Sequence, residues 1–170
     1  MATRQFDHNQ NNKPTDYFDQ KFLQVRRVSK KTKGGNRIGF TALVIVGDHR
    51  GQVGVGLGKA PDVRAAVNKG TRLAKRDMVN LPLVNGTIPH RIEYKFRSGR
   101  VLLKPAPSGT GVIAGGSIRA VVEAAGVTNI VGKILGNNNK MTNVYATIGA
   151  LREIETISRK HAARKAKISK

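Results

Sequence analysis

The amino-acid sequence predicts an α+β protein built from two consecutive units, the first in the order β-β-β-α. Two patterns indicate this class: apolar residues alternate with period two between Ile38 and Val46, and they recur at helical spacing between Val63 and Ala74. A loop-like stretch at 81–86 then precedes a second set of strand and helix patterns. We therefore expect a flexible N-terminal arm, two domains and a basic tail, at 1–20, 21–84, 85–158 and 159–170 respectively.

The first unit comprises three strands and one helix. Its first strand begins near Leu23 and runs through a basic stretch into a turn at 34–35, and a second turn at 47–51 joins the next two strands. Glycines alternate with apolar residues on the third strand, GQVGVGLG, which weakens the strand and allows another backbone, or RNA, to approach closely. Pro61 and Asp62 open the helix. Its polar side carries a mostly basic stripe, formed by Arg64, Asn68, Arg72 and Lys75. Lys69 and Arg76 flank this stripe.

The second unit alternates short strands with helices. The patterns predict a strand at 92–96, a turn at 97–100, a return strand at 101–104, a helix at 118–125, and a further strand at 129–135. The glycine-rich segment PSGTGVIAGGS leads into the first of these helices, and Gly126 is placed to end it at the C′ position. Thr142 or Asn143 is expected to cap a last helix.

Charge is the strongest indication of function. The chain has 31 Lys plus Arg against 10 Asp plus Glu, a formal net charge of +21, so it repels itself and needs a polyanion nearby. Nucleic acid is favoured over an acidic membrane surface or an acidic protein, because each neutralised phosphate releases counterions. Aromatic residues are only 5%, too few for a stacking platform, which favours RNA recognised by shape, phosphates and 2′-hydroxyls. We expect RNA contacts from basic residues of the first unit, namely Arg26, Arg27, Lys30, Lys31, Lys33, Arg37, Arg50, Lys59, Arg64, Lys69, Arg72, Lys75 and Arg76.

Catalytic, metal and membrane functions lack a sequence signal. There is no cysteine, no pair of histidines at metal-binding spacing and no spaced pair of carboxylates, so we expect no metal and no cofactor. The segment GTGVIA at 109–114 matches the loose dinucleotide pattern, but the acidic residue expected about 20 residues later and the lysine of a phosphate loop are both missing. A glycine-rich turn explains it better, although amides near Gly116 and Ser117 could meet an RNA phosphate or a protein. No apolar run approaches the roughly 20 residues of a membrane span, and no signal peptide is evident, so we expect a cytoplasmic location.

Two longer motifs resemble a known family. Residues 34–67, GGNRIGFTALVIVGDHRGQVGVGLGKAPDVRAAV, closely resemble the signature of the fifth small-subunit ribosomal protein family, bacterial type. Residues 105–127, PAPSGTGVIAGGSIRAVVEAAGV, resemble the motif of that family's second domain. The resemblance extends over about residues 20–158, with departures at Asn36, where a basic residue is usual, and Ile38, where an aromatic is common.

The resemblance implies more than the residues alone. The first unit would be similar to a double-stranded-RNA-binding domain, and the second would be a two-layer α/β domain with a left-handed β-α-β crossover. Members are ribosome-bound and bind small-subunit rRNA near the neck and the mRNA entry side, and they pack against small-subunit proteins four and eight. In relatives, the loop that matches Val28, Ser29 and Lys30 lies near the spectinomycin site. The positions matching Gly111 and Arg119 lie at the boundary with the fourth protein and influence decoding accuracy.

Three functions follow as alternatives. The first is a non-catalytic ribosomal component that clamps two rRNA elements, one with each domain. The second is a free-standing regulator that binds double-stranded RNA or the nucleoid. The third is an enzyme that uses the second unit, which would require a phosphate-binding lysine or an acid pair between Gly109 and Ser117, and neither is present.

Overall fold

Residues 18–168 are described by the computed structural model, and they form an α+β structure of two domains. The predicted arm at 1–20 lies mostly outside the described residues, and its last two residues, Asp19 and Gln20, already belong to the first strand. In chain order the elements are β1 (Asp19–Thr32), β2 (Gly35–Gly47), β3 (Gln52–Ala60), α1 (Val63–Arg76), β4 (Met78–Asn80), β5 (Ile92–Phe96), β6 (Gly99–Pro105), β7 (Val112–Ile113), α2 (Gly116–Ala124), β8 (Ile130–Ile134) and α3 (Lys140–Ile168).

The first domain is an antiparallel sheet in the order β1-β2-β3-β4, with α1 packed on one face. The period-two pattern of β2 is confirmed, and both of its faces are buried. Val44 and Val46 pack with Ala66 and Ala74 of α1. The residues between them, such as Ile45, point the other way and join a core cluster shared with the second domain.

The glycines of β3 bring α1 unusually close to the sheet. A Cβ placed on Gly56 would lie 1.9 Å from the carbonyl oxygen of Gly70, and one on Gly58 would lie 1.9 Å from that of Ala66. Gly54 has the same relation to Ala74, at 2.2 Å. The backbone that approaches the glycine stripe is therefore that of α1, so of the two predicted alternatives, another backbone or RNA, the structure shows the first.

The second domain contains a mixed sheet in the order β5-β6-β8-β7. Strands β5, β6 and β8 are antiparallel neighbours, whereas β7 runs parallel to β8. Helix α2 connects β7 to β8, so β7-α2-β8 is a β-α-β unit. The hand of this crossover stays a prediction from the family resemblance. Gly126, with φ of +80°, follows α2 as predicted.

Helix α3 differs from its prediction at both ends. It begins at Lys140, where the side-chain oxygen of Asn139 accepts a hydrogen bond of 3.1 Å from the Met141 amide. The prediction that Thr142 or Asn143 caps it is therefore wrong: both are buried in its first turn. At the other end, the helix continues to Ile168, through most of the predicted basic tail. Its 29 residues make it roughly 43 Å long.

Candidate nucleic-acid interface

The β1-β2 hairpin extends beyond the rest of its sheet. Pairing between β2 and β3 ends at Phe40 and Ala60, whereas pairing between β1 and β2 continues for five further residue pairs to Thr32 and Gly35. We call residues 28–39 the hairpin extension. Its side chains are exposed, with only Gly39 half-buried, and it projects by roughly 17 Å at about 3.4 Å per residue. Both faces of this two-stranded ribbon are therefore accessible to a partner.

Cations on the hairpin extension are aligned by the register of the strands. Lys30 lies directly opposite Arg37, so both project from the same face of the ribbon. On that face, two rows nearer the body of the sheet, Arg26, Thr41 and Lys59 are direct neighbours across β1, β2 and β3. We call Arg26, Lys30, Arg37 and Lys59 the basic row; the last three border a depression of about 290 Å³.

The other face of the ribbon is also basic. Arg27 lies opposite Phe40, and Lys31 opposite Asn36, while Lys33 lies in the turn at the tip. Positive charge therefore surrounds the hairpin extension. The prediction that Val28, Ser29 and Lys30 form a loop is corrected, because these residues lie within β1.

Helix α1 presents a second basic surface. Arg64, Lys69, Arg72 and Arg76 are exposed along it, as their helical spacing predicts. Lys75 is less exposed, and its ammonium lies 5.6 Å from the centre of the Phe18 ring. The Asp62 carboxylate accepts from the amides of Arg64 and Ala65, at 3.0 and 3.4 Å, so it confirms the predicted helix start.

Arg50 is far from the other predicted contacts. It lies in the β2-β3 turn, beyond the end of β2 that is remote from the hairpin extension. The ten residue steps from Arg37 to Gly47 separate the two ends by about 34 Å. The thirteen predicted residues therefore divide into the hairpin surface, the α1 surface and Arg50.

The β2-β3 turn joins the two domains through backbone contacts. The amide of His49 donates to the carbonyl of Ala124 at 3.1 Å, and that of Gly51 donates to Ala125 at 2.8 Å. A Cβ on Gly126 would lie 2.0 Å from the His49 carbonyl oxygen, so only glycine fits there. Together with the shared core cluster, these contacts fix the angle between the domains.

Gly111 and Arg119 come together at the edge of the second sheet. The guanidinium of Arg119 donates to the carbonyl of Val112 at 2.9 Å, one residue after Gly111. Gly111 has φ of +73°, and its amide donates to the side-chain oxygen of Asn129 at 3.2 Å. The Gly109 amide donates to the same oxygen at 3.0 Å. The buried side chain of Asn129 already accepts hydrogen bonds from these two amides. The glycine-rich segment is therefore a structural turn and not a nucleotide-binding loop.

The basic charge of the segment after residue 158 was predicted, but its helical structure was missed by the sequence reasoning. Arg159, Lys160 and Arg164 are exposed on the last turns of α3, which the sequence analysis treated as a tail. The sequence signal was the absence of Pro and Gly between Gly149 and Ile168. Arg159 is paired with Glu155 at 2.7 Å.

The described part of the chain also limits other functions. Within residues 18–168 no group of three or more His, Asp and Glu side chains is arranged to hold a metal ion. None of the described helices is long and apolar enough to cross a membrane.

Comparisons with known proteins agree with the fold. Residues 18–82 match the model of the ribosomal protein S5 N-terminal domain, and residues 94–165 match that of the C-terminal domain. Small ribosomal subunit protein uS5 of Thermus thermophilus is 50% identical over 143 residues, covering 84% of this chain and 88% of the relative. The uS5 proteins of Treponema pallidum and Trichormus variabilis are 49% and 43% identical, over 81% and 93% of this chain and 80% and 91% of theirs. The chain therefore belongs to the ribosomal protein S5 family of the bacterial type, and the prediction of a ribosomal protein that is not an enzyme is confirmed.

Proposed function

We propose that the chain is a structural constituent of the small ribosomal subunit and binds small-subunit rRNA through the hairpin extension and α1. The opposed pair Lys30 and Arg37 carries this proposal. Like charges directly opposite each other destabilise a strand pair. Phosphate groups would neutralise the pair and remove that repulsion, and each neutralised phosphate adds affinity by releasing counterions.

The two domains act as a clamp on two rRNA elements. The backbone contacts between His49, Gly51 and α2 support this, because they hold both domains at one angle. RNA bound to the first domain would thereby be held at a set angle to RNA bound to the second. By its resemblance to the family, this clamp would lie near the neck and the mRNA entry side of a cytoplasmic ribosome. The boundary between the two domains at 84–85 is part of the proposal, whereas the tail boundary at 158–159 lies inside α3.

Two protein neighbours complete the assignment, small-subunit proteins four and eight. Gly111 and Arg119 support a contact with the fourth protein, since both lie at the exposed edge of the second sheet around β7. A contact there would let the chain influence decoding accuracy. Val28, Ser29 and Lys30 would lie near the spectinomycin site, on the exposed ribbon that reaches farthest from the sheet.

The RNA contact is tested by the salt dependence of binding. The double variant Lys30→Ala/Arg37→Ala should bind small-subunit rRNA with a shallower plot of log affinity against log salt. Each lost phosphate contact removes roughly 0.7–0.9 from the slope, so we expect a decrease of about 1.6.

A matched control removes the same formal charge elsewhere. Arg100→Ala/Arg152→Ala deletes two cations that are paired with Glu93 and Asp77 within the protein. Its slope should equal that of the wild type. Equal slopes for all three proteins would remove the hairpin extension from the RNA interface. Sedimentation of cell extract at high salt then separates a subunit component, which travels with the small subunit, from a free regulator.

A further inference from the structure

A pocket lies where the two domains meet on the side of α3. It has a volume of about 390 Å³. Val55 and Asp77 contribute from the first domain, and Tyr94, Tyr145 and Glu153 are among the residues from the second. We call this the junction pocket. Its volume is near the lower limit of about 300 Å³ for small-ligand sites, which suits one long side chain better than an extended segment.

Aromatic rings form one wall of the junction pocket. Tyr94, Phe96 and Tyr145 line it, in a chain with only five Phe and three Tyr. The rings of Phe96 and Tyr145 are 5.5 Å apart between centroids and tilted by 32°. The faces of such rings carry partial negative charge and attract cations. Arg97 already lies 5.6 Å from the centroid of the Phe96 ring.

The lining of the junction pocket has more carboxylates than cations, although the protein as a whole is strongly basic. Two carboxylates line it, those of Asp77 and Glu153, against one guanidinium, that of Arg152. Arg152 and Asp77 form an ion pair of 2.6 Å, while Glu153 is exposed and has no ion pair among the described residues. Burial, and secondly the charge of Asp77, raise the pKa of the Tyr145 phenol, so this ring stays uncharged. Distant cations matter little, because charges are screened beyond about 8 Å at physiological salt.

We infer that the junction pocket is a docking site for a basic side chain, Lys or Arg, of a neighbouring protein. The aromatic faces would hold its stem and charge, and the carboxylate of Glu153 would accept its hydrogen bonds. An RNA nucleotide fits this chemistry poorly, because its phosphate would approach Asp77 and Glu153. A partner seated here would contact both domains. The inference rests on the proposed function, since it requires a neighbouring protein in an assembly.

The occupant can be identified by photo-crosslinking in the assembled particle. Thr156 is exposed and lines the junction pocket without contributing charge, so Thr156→p-benzoylphenylalanine preserves the site. The variant is reconstituted into small subunits that lack the wild-type chain, irradiated and digested. We expect a cross-link to a peptide of another protein, within reach of a Lys or Arg. A cross-link to rRNA, or none at all, overturns the inference.

A variant that removes the charge of Glu153 measures its contact with the docked side chain. Glu153→Gln should weaken binding to subunits that lack the chain by at least about tenfold, the effect of losing one charge-assisted hydrogen bond. Glu155→Gln is the matched control, because Glu155 lies on the same helix outside the junction pocket and pairs with Arg159. Its binding should stay within about twofold of the wild type on the same scale.

The two variants separate the possible failures. Equal binding of the Glu153→Gln and Glu155→Gln proteins overturns the inference, and so does tighter binding after Glu153→Gln, which would indicate nearby phosphate. A wild-type chain that never enters the particle overturns the proposed function as well. A chain that enters normally but gives no cross-link overturns only the inference.

Discussion

The packing of α1 on β3 predicts a large loss of stability for Gly56→Ala. The new Cβ would lie 1.9 Å from the carbonyl oxygen of Gly70 and 2.7 Å from the amide nitrogen of Ala74. Both are backbone atoms of a helix, so neither can rotate away. Ordinary van der Waals contact begins at 3.4 Å, which requires α1 to move outward by about 1.5 Å.

That displacement would loosen the cluster formed by α1 and the face of β2. Overpacking of this kind costs about 1–3 kcal/mol, and we expect at least the upper value because the whole helix must move. For a chain of this size, about 3 kcal/mol corresponds to a decrease in Tm of roughly 6–12 °C.

Thermal unfolding followed by circular dichroism at fixed salt measures the effect. Gly116→Ala is the matched control, because a Cβ there meets nothing within 4 Å and the residue is the first of α2. The control should unfold at the wild-type temperature or slightly above it. If Gly56→Ala unfolds within about 2 °C of the wild type, too little for overpacking, the close packing of the two backbones is wrong.

Three further predictions use the same chain. Asp62→Ala removes the cap of α1 and should lower the Tm by about 2–6 °C in the same thermal assay, whereas an unchanged Tm would mean that the cap adds nothing. Gly126→Ala should lower the free energy of unfolding in urea more than Gly109→Ala does. Both glycines have positive φ, but only a Cβ on Gly126 would meet a backbone atom, at 2.0 Å, so equal effects would contradict the contact between the domains. The pKa of Tyr145 is raised above the ordinary tyrosine value of 10.0, so the free energy of unfolding should fall as the pH rises beyond 10. Tyr145→Phe should reduce that fall, which urea unfolding at several pH values measures, and an unchanged fall would contradict the raised pKa.

Local sequence patterns were sufficient to predict most of the strands and helices. Alternation predicted both faces of β2, and helical spacing predicted the buried positions of α1 such as Ala66 and Ala74. Strands β4 and β7 were missed because three and two residues are too short to show a period. The extension of α3 was missed because basic composition was taken as a sign of a tail, although no Pro or Gly lies between Gly149 and Ile168.

The candidate interface was only partly encoded in local sequence. Composition identified the cations, but spacing along the sequence could not predict which of them lie side by side. Strand register places Lys30 opposite Arg37 and brings Arg26 and Lys59 into one row across the sheet. The same holds for the junction pocket, whose two carboxylates are far apart in the chain.

The sequence alone determined the fold class, the large positive charge, the family motifs and the lack of a catalytic constellation, since each depends on composition or on neighbours within a few residues. The tertiary structure decided which backbone lies against the glycines of β3 and that Arg50 lies apart from the hairpin extension. It also decided that Asp77 and Glu153 share one pocket. These features depend on contacts between distant segments, and packing and strand pairing across the whole fold establish such contacts.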